Sequence, residues 1–291
     1  LNDSIQTLSQ KIMNQYRIID HLDQEKLKNG DVKRGNLFEA GFEKINQESI
    51  EYPEMIYDGP FSDALSKKEY KALKNLKEIS HEQGIQYIYD KLKDTADVKY
   101  LGKASGKIQA YEYSTTTKDG ISRYIQLSVK GGLPITISTN NTKNENKLSE
   151  EQAKNFAQNW VKKLIGEDMK GVWISITNNT AYINLAPVIN DTIIYPDLIK
   201  VKVSLTDGNL LGWEANAYLQ NHIKRELAQP QISQEQAQQN ISNRLKINNV
   251  QLALIPKDWG EEVLAYEFYA THNDNIYIVY INAQTGEEEN I

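Results

Sequence analysis

Metal binding and proton transfer would show first in the histidines, and the chain has four: His21, His81, His222 and His272. No two stand four residues apart, the spacing that puts two imidazoles on one helix face, so a helical zinc site is not encoded. His81 precedes Glu82 at a helix start and reads as a solvent-exposed first-turn residue. His222 and His272 lie in polar connections and read as exposed turn residues. The absence of cysteine removes thiol catalysis, zinc ribbons, iron-sulfur sites and disulfides together. Asp258, Glu261 and Glu262 around Trp259 are the kind of carboxylate group that glycoside cleavage uses. In a chain with 39 Asp and Glu such clusters arise by chance, and this one reads as a solvated turn. Asp119-Gly120 and Asp207-Gly208 are hairpin turns, because glycine there reaches positive φ; a calcium site would need more converging oxygens. There is no G-x-S-x-G elbow, P-loop or G-x-G-x-x-G. No nucleophile, base and orienter can be assembled, so the chain reads as a non-enzyme without metal or cofactor.

Binding is the chemistry that remains. In Tyr52-Pro53-Glu54-Met55-Ile56-Tyr57-Asp58-Gly59-Pro60-Phe61-Ser62-Asp63, two prolines bias their predecessors to extended backbone, so a helix interior is excluded. A stiff aromatic segment loses little entropy when it docks. Tyr52, Met55, Ile56, Tyr57, Asp58, Phe61 and Asp63 are therefore the candidate partner-binding residues. The competing reading is a linker pinned by its apolar side chains to the neighbouring module. A second docking route is an exposed strand edge, and the sequence does not choose which.

The elements that must position these residues follow from composition and periodicity. With 291 residues, 40% hydrophobic and 25% charged, the chain has the balance of an ordinary globular protein of roughly two or more domains. No apolar run approaches the roughly 20 residues of a membrane-spanning helix. A net charge of −6 argues against the broad basic surface that nucleic acid requires. Leu1, Ile5, Leu8, Ile12, Tyr16, Ile19 and Leu22 predict a helix to about Leu27, ended by Asn29-Gly30-Asp31. Lys67, Lys68, Lys71, Lys74 and Lys77 around Tyr70, Leu73 and Leu76 predict a short amphipathic helix, its basic face solvated or turned to an anionic surface. Beyond it the sequence repeats. Ile79-Ser80-His81-Glu82-Gln83, Leu148-Ser149-Glu150-Glu151-Gln152 and Ile232-Ser233-Gln234-Glu235-Gln236 each open with a capping box and continue with helical periodicity. Ala110-Tyr111-Glu112-Tyr113 and Ala265-Tyr266-Glu267-Phe268 recur at the same station in the first and third units, each before a polar turn and an alternating strand. The predicted fold is α+β: three tandem modules, each one helix on an antiparallel sheet of three to four strands, after an N-terminal helix. Seventeen tyrosines against five phenylalanines fit strand faces whose hydroxyl tips stay near water.

The openings Ser149 to Ala153 and Ser233 to Ala237, with the ending Tyr277-Ile278-Val279-Tyr280-Ile281-Asn282-Ala283-Gln284-Thr285-Gly286, resemble the PepSY module. Three such units behind the Tyr52 to Asp63 string, with Lys130-Gly131-Gly132 closing the first, resemble the YpeB family of spore-germination proteins over about residues 50 to 291. Ala64 and Gly84 depart from that pattern, which places His and Ala there. The resemblance implies residues 1–50 as the end of an N-terminal helical region, 51–77 as the aromatic segment and basic helix, and modules at 78–145, 146–226 and 227–291. It further implies a non-enzymatic partner of the cortex-lytic enzyme SleB in the endospore, stabilising, localising and restraining that enzyme until germination. The location implied is the inner spore membrane and cortex, held by an N-terminal anchor upstream of Leu1. Two alternatives accompany it. One is a propeptide-like protease inhibitor; the other is a direct binder of cortex peptidoglycan, which would need two coplanar exposed rings among Trp160, Trp173, Trp213 and Trp259.

Overall fold

The computed structural model describes residues 70–139, 145–257, 261–273 and 275–289. The N-terminal helix predicted for residues 1–27 and the segment 52–63 lie outside the described residues. The described elements are helices α1 (His81–Lys91), α2 (Glu150–Ile165), α3 (Asn216–Asn221) and α4 (Gln234–Gln238) with thirteen strands. The first unit holds β1 (Thr95–Ser105), β2 (Gln109–Thr117), β3 (Ser122–Ser128) and β4 (Pro134–Thr139). The second holds β5 (Met169–Thr177), β6 (Thr180–Ile189), β7 (Thr192–Ile194), β8 (Ile199–Ser204) and β9 (Leu210–Glu214). The third holds β10 (Lys246–Pro256), β11 (Glu262–His272), β12 (Asn275–Asn282) and β13 (Glu288–Glu289).

All three capping boxes form. The hydroxyls of Ser80, Ser149 and Ser233 accept from the amides of Gln83, Gln152 and Gln236, whose side-chain oxygens accept from the serine N–H at 2.8, 2.9 and 2.8 Å. Each reciprocal pair satisfies two otherwise orphaned donors, a gain of about 1 kcal/mol. The third helix is nevertheless one short turn, not the periodic helix the sequence predicts. Asn240 and Ser242 favour turns over helix, and the Asn240 amide donates to the Gly286 carbonyl at 2.8 Å instead of extending α4. The basic stretch is corrected too: within its described part only a 3₁₀ turn, Lys71–Leu73, is present, anchored by buried Leu73.

The modules are α+β as predicted, but their sheets are joined into one hydrogen-bonded path, β1-β2-β3-β4-β9-β8-β6-β7-β10-β11-β12-β13, with β5 paired to β6. Strand β4 pairs antiparallel with β9, and β7 pairs parallel with β10. Joining buries four strand edges that would otherwise invite association. The added strand β7, with its 3₁₀ turn Tyr195–Asp197, helps account for the middle unit's greater length; Thr192, Ile193 and Ile194 are all buried. One core runs through the first two units, from Ile88, Leu92 and Ile125 to Val161, Leu164 and Val201. The third unit packs around Phe268, Ile281 and Ala237, and Ile193, Tyr195 and Tyr280 fill the junction.

The tyrosines are less wet than their number suggests. The hydroxyls of Tyr111 and Tyr266 donate to the carbonyls of Ile79 and Ile232, the residues just before the capping serines, at 3.1 and 2.9 Å. This is what the repeated Ala-Tyr-Glu station does: it ties the second or middle strand to the helix entry. Tyr113 likewise donates to His81 O at 3.1 Å. A Cβ at Gly84 would lie 2.0 Å from the Tyr113 hydroxyl oxygen, so this ring explains why Gly84 replaces the motif's alanine. In the third unit the corresponding pair is Ala237 with Phe268, both fully buried: the methyl is present where the hydroxyl is absent.

Candidate partner-docking edge

Tyr52, Met55, Ile56, Tyr57, Asp58, Phe61 and Asp63 all lie outside the described residues, as do Asp258 and Trp259. Of the two described acids of that cluster, Glu261 is exposed, as expected of a solvated turn, whereas Glu262 is drawn inward to pair with Arg225 at 2.7 Å. Arg225 also holds Asp197 at 2.8 Å, and His222 Nδ1 lies 2.7 Å from the same Asp197 oxygen while its ring stacks on Tyr218. His222 is thus a half-buried part of an ion network, not an exposed turn residue. The network clamps the 3₁₀ turn after β7, the segment after α3 and the start of β11. His81 is a first-turn residue with its side chain 40% exposed, as expected, and its ring also stacks on Tyr100 at 4.3 Å between centroids. His272 Nδ1 faces Arg244 O at 3.0 Å.

A second buried carboxylate, Glu267, accepts from Tyr195, Tyr280, Tyr269 and Gln251 at 2.6 to 3.2 Å. Burial, with Glu267 beside it, pushes the Tyr195 phenol far above its usual value, so it stays a neutral donor. Glu267 is 1% exposed, which closes it to any substrate. Among the described residues no group of three His, Cys, Asp or Glu is placed to hold a metal ion. No described helix is long and apolar enough to cross a membrane. A tryptophan platform loses one candidate outright: Trp213 is buried and donates to Pro134 O at 2.9 Å. Trp160 is half-buried and donates to Gly208 O at 2.9 Å.

The surface that can do something is an edge. Among the described residues, β1, β5 and the first part of β12 each lack a partner on one side. Strand β1 carries Asp97, Lys99 and Lys103 and a register break between Tyr100 and Gly102; β5 breaks register between Gly171 and Trp173. Charges and bulges are the usual protection of an edge. Asn275-Ile276-Tyr277-Ile278-Val279 of β12 has neither: it is uncharged and pairs with β11 without a shift. Ile276 is 75% exposed, Tyr277 41% and Ile278 38%. Asn282 donates its N–H to Glu287 O at 2.8 Å, and β13 pairs only with Tyr280 and Ile281. Because main-chain direction alternates along a strand, Ile278 and Ile276 turn their N–H and C=O groups to that same open side. Side chains on both faces are apolar there, so an incoming strand would gain both ladder bonds and contacts. The sequence shows this alternating run but not that it is an edge.

Comparison with known proteins agrees with this architecture. Residues 38–228 match the family model described as YpeB sporulation, PepSY1 and PepSY2 domains, and residues 231–291 match that described as peptidase propeptide and YPEB domain. The Sporulation protein YpeB of Halalkalibacterium halodurans is 36% identical over 168 residues, covering 58% of this chain and 38% of its own. That of Bacillus subtilis is 30% identical over 235 residues, 78% of this chain and 52% of its own. The chain thus spans about half the length of these relatives or less. The solved Bacillus megaterium YpeB C-terminal domain superposes with a TM-score of 0.65 at 28% identity, over 74% of this chain and 97% of that one. A family match over more than half the chain, on a sheet built from three capped helix-and-strand units, places this protein in the YpeB family of sporulation proteins.

Proposed function

We propose that this chain is a non-catalytic sporulation protein that binds a cortex-lytic enzyme of the SleB kind, stabilises and localises it, and restrains it until germination. The observation that carries the binding role is the uncharged, unbulged open edge of β12, where exposed Ile276, Tyr277 and Ile278 offer β-augmentation to an extended segment of the enzyme. The Tyr52 to Asp63 strip is the second proposed contact, and cortex peptidoglycan the third. The location proposed is the inner spore membrane and cortex, with membrane attachment through an N-terminal anchor beyond this sequence. The family description naming peptidase propeptides supports one other reading, inhibition of a protease by the same edge.

The test is a binding titration of the purified lytic enzyme against this chain and its Ile276→Lys/Ile278→Lys variant. Saturable binding that weakens at least tenfold in the variant supports the proposal. Equal binding by both moves the contact away from β12, and no binding by either removes the role from this part of the protein.

A further inference from the structure

Although the whole chain carries a net charge of −6, three lysines converge on one groove of about 480 Å³ in the first unit. Lys74 comes from just after the 3₁₀ turn, Lys107 from the β1–β2 turn and Lys130 from the turn between β3 and β4, with Glu78 the one carboxylate on the lining. Leu73, Ile108 and Val129 supply apolar wall, Gln109 an amide, and Tyr70 a phenol. Partial burial raises the Tyr70 phenol above its ordinary value, so it is a neutral hydrogen-bond donor near pH 7. Among the described residues no carboxylate lies within 4.0 Å of the Lys107 or Lys130 ammonium, whereas Lys147, Lys162 and Lys257 elsewhere are paired.

The fold brings these groups together deliberately. The Glu78 to Ile79 segment is stitched to β3: Ile79 donates to Val129 O, Val129 donates to Gln109 O, and Gly131 donates to Lys77 O, all at 2.9 Å. Gly131 and Gly132 both have positive φ, 80° and 64°, and added Cβ atoms there would strike Leu76 and Ile79. The turn carrying Lys130 is therefore held against the chain carrying Lys74, fixing the lysine backbones around the groove before any ligand arrives. Lysines on fixed backbone around a concavity with apolar walls are an arrangement that can recognise a small multivalent anion with a carbon body.

We propose that this groove is a binding site for a small organic polycarboxylate, its carboxylates held by Lys107 and Lys130 and its carbon skeleton lying on Leu73, Ile108 and Val129. The site is separate from the β12 edge and does not depend on the partner reading. The test is calorimetric titration at low ionic strength with citrate, its neutral triethyl ester, and inorganic phosphate, on this chain and on Lys107→Gln/Lys130→Gln. Both lysines are exposed, so the variant keeps its fold, which its melting curve verifies. Saturable citrate binding that weakens about fivefold or more in the variant, falls with added salt and is absent for the ester is the expected result. Citrate binding unchanged in the variant, or no saturation with citrate, overturns the site. Phosphate binding as tightly as citrate overturns the role of the apolar wall and leaves an inorganic oxyanion site.

Discussion

Replacing a mid-helix glycine with alanine ordinarily stabilises a helix by up to about 1 kcal/mol. At Gly84 the opposite is expected. The new Cβ would stand 2.0 Å from the Tyr113 hydroxyl oxygen and 2.9 Å from Cζ, so the ring must retreat by more than about 1 Å to regain a normal contact. Tyr113 is fully buried, among Leu127 and Tyr100, and its hydroxyl donates to His81 O at 3.1 Å. Moving it loses that bond, about 1 kcal/mol, and overpacks a filled core at about 1 to 3 kcal/mol. Subtracting the propensity gain leaves Gly84→Ala destabilised by about 1 to 3 kcal/mol. Tyr113→Phe alone is expected to cost about 1 kcal/mol for the lost hydrogen bond. The double variant removes the 2.0 Å hydroxyl contact and leaves only the smaller retreat from Cζ, toward the Ala237 and Phe268 pairing of the third unit, so it should be more stable than Gly84→Ala. Urea unfolding of the four proteins measures the cycle, with a favourable coupling of about 1 to 2 kcal/mol expected. A stabilised Gly84→Ala protein, or strictly additive effects, would refute the reasoning.

Other outcomes follow from the same structure. Arg225→Met leaves Asp197, which is 1% exposed, without its guanidinium, and should cost about 3 to 5 kcal/mol; Asp197→Leu/Arg225→Met should recover much of that in thermal melts, and equal losses would count against the buried network. Glu112 is held below its ordinary value chiefly by the Tyr124 hydroxyl, then by Gln126. A depressed carboxylate contributes stability above the unfolded-state value near pH 4.5 and loses it as pH falls through the folded value. Tyr124→Phe should therefore cost under about 1 kcal/mol at pH 7, with that cost shrinking below about pH 4, and a pH-independent difference would contradict it. Ile276→Lys, at a site 75% exposed, should change stability by less than about 0.5 kcal/mol in the same melts, so any lost binding is not lost folding.

What the sequence made legible was local. Ser80, Ser149 and Ser233 announce their helices because a capping box is closed within four residues. The Ala-Tyr-Glu station was visible as a repeat, though its purpose, a phenol reaching 32 or 34 residues back to a helix entry, needed the fold. The middle unit carries a trace of it, Ala181-Tyr182 on β6, 33 residues beyond Leu148. What was hidden depended on distant pairing. The β4–β9 and β7–β10 joints leave no periodic signature in either strand, and the ion network links Asp197, His222, Arg225 and Glu262 across connections with no motif spacing. The β12 run shows a strand, and the stretch after Ser233 shows helical periodicity that α4 does not fulfil, for one reason: periodicity reports a face, not the neighbours that extend or truncate it.

The measurement closest to the central claim is cortex hydrolysis by the purified lytic enzyme with increasing amounts of this chain, beside the Ile276→Lys/Ile278→Lys variant. The account predicts saturable loss of hydrolysis with the unaltered chain and little loss with the variant. Hydrolysis that proceeds undiminished at concentrations where the two proteins are demonstrably bound would contradict restraint.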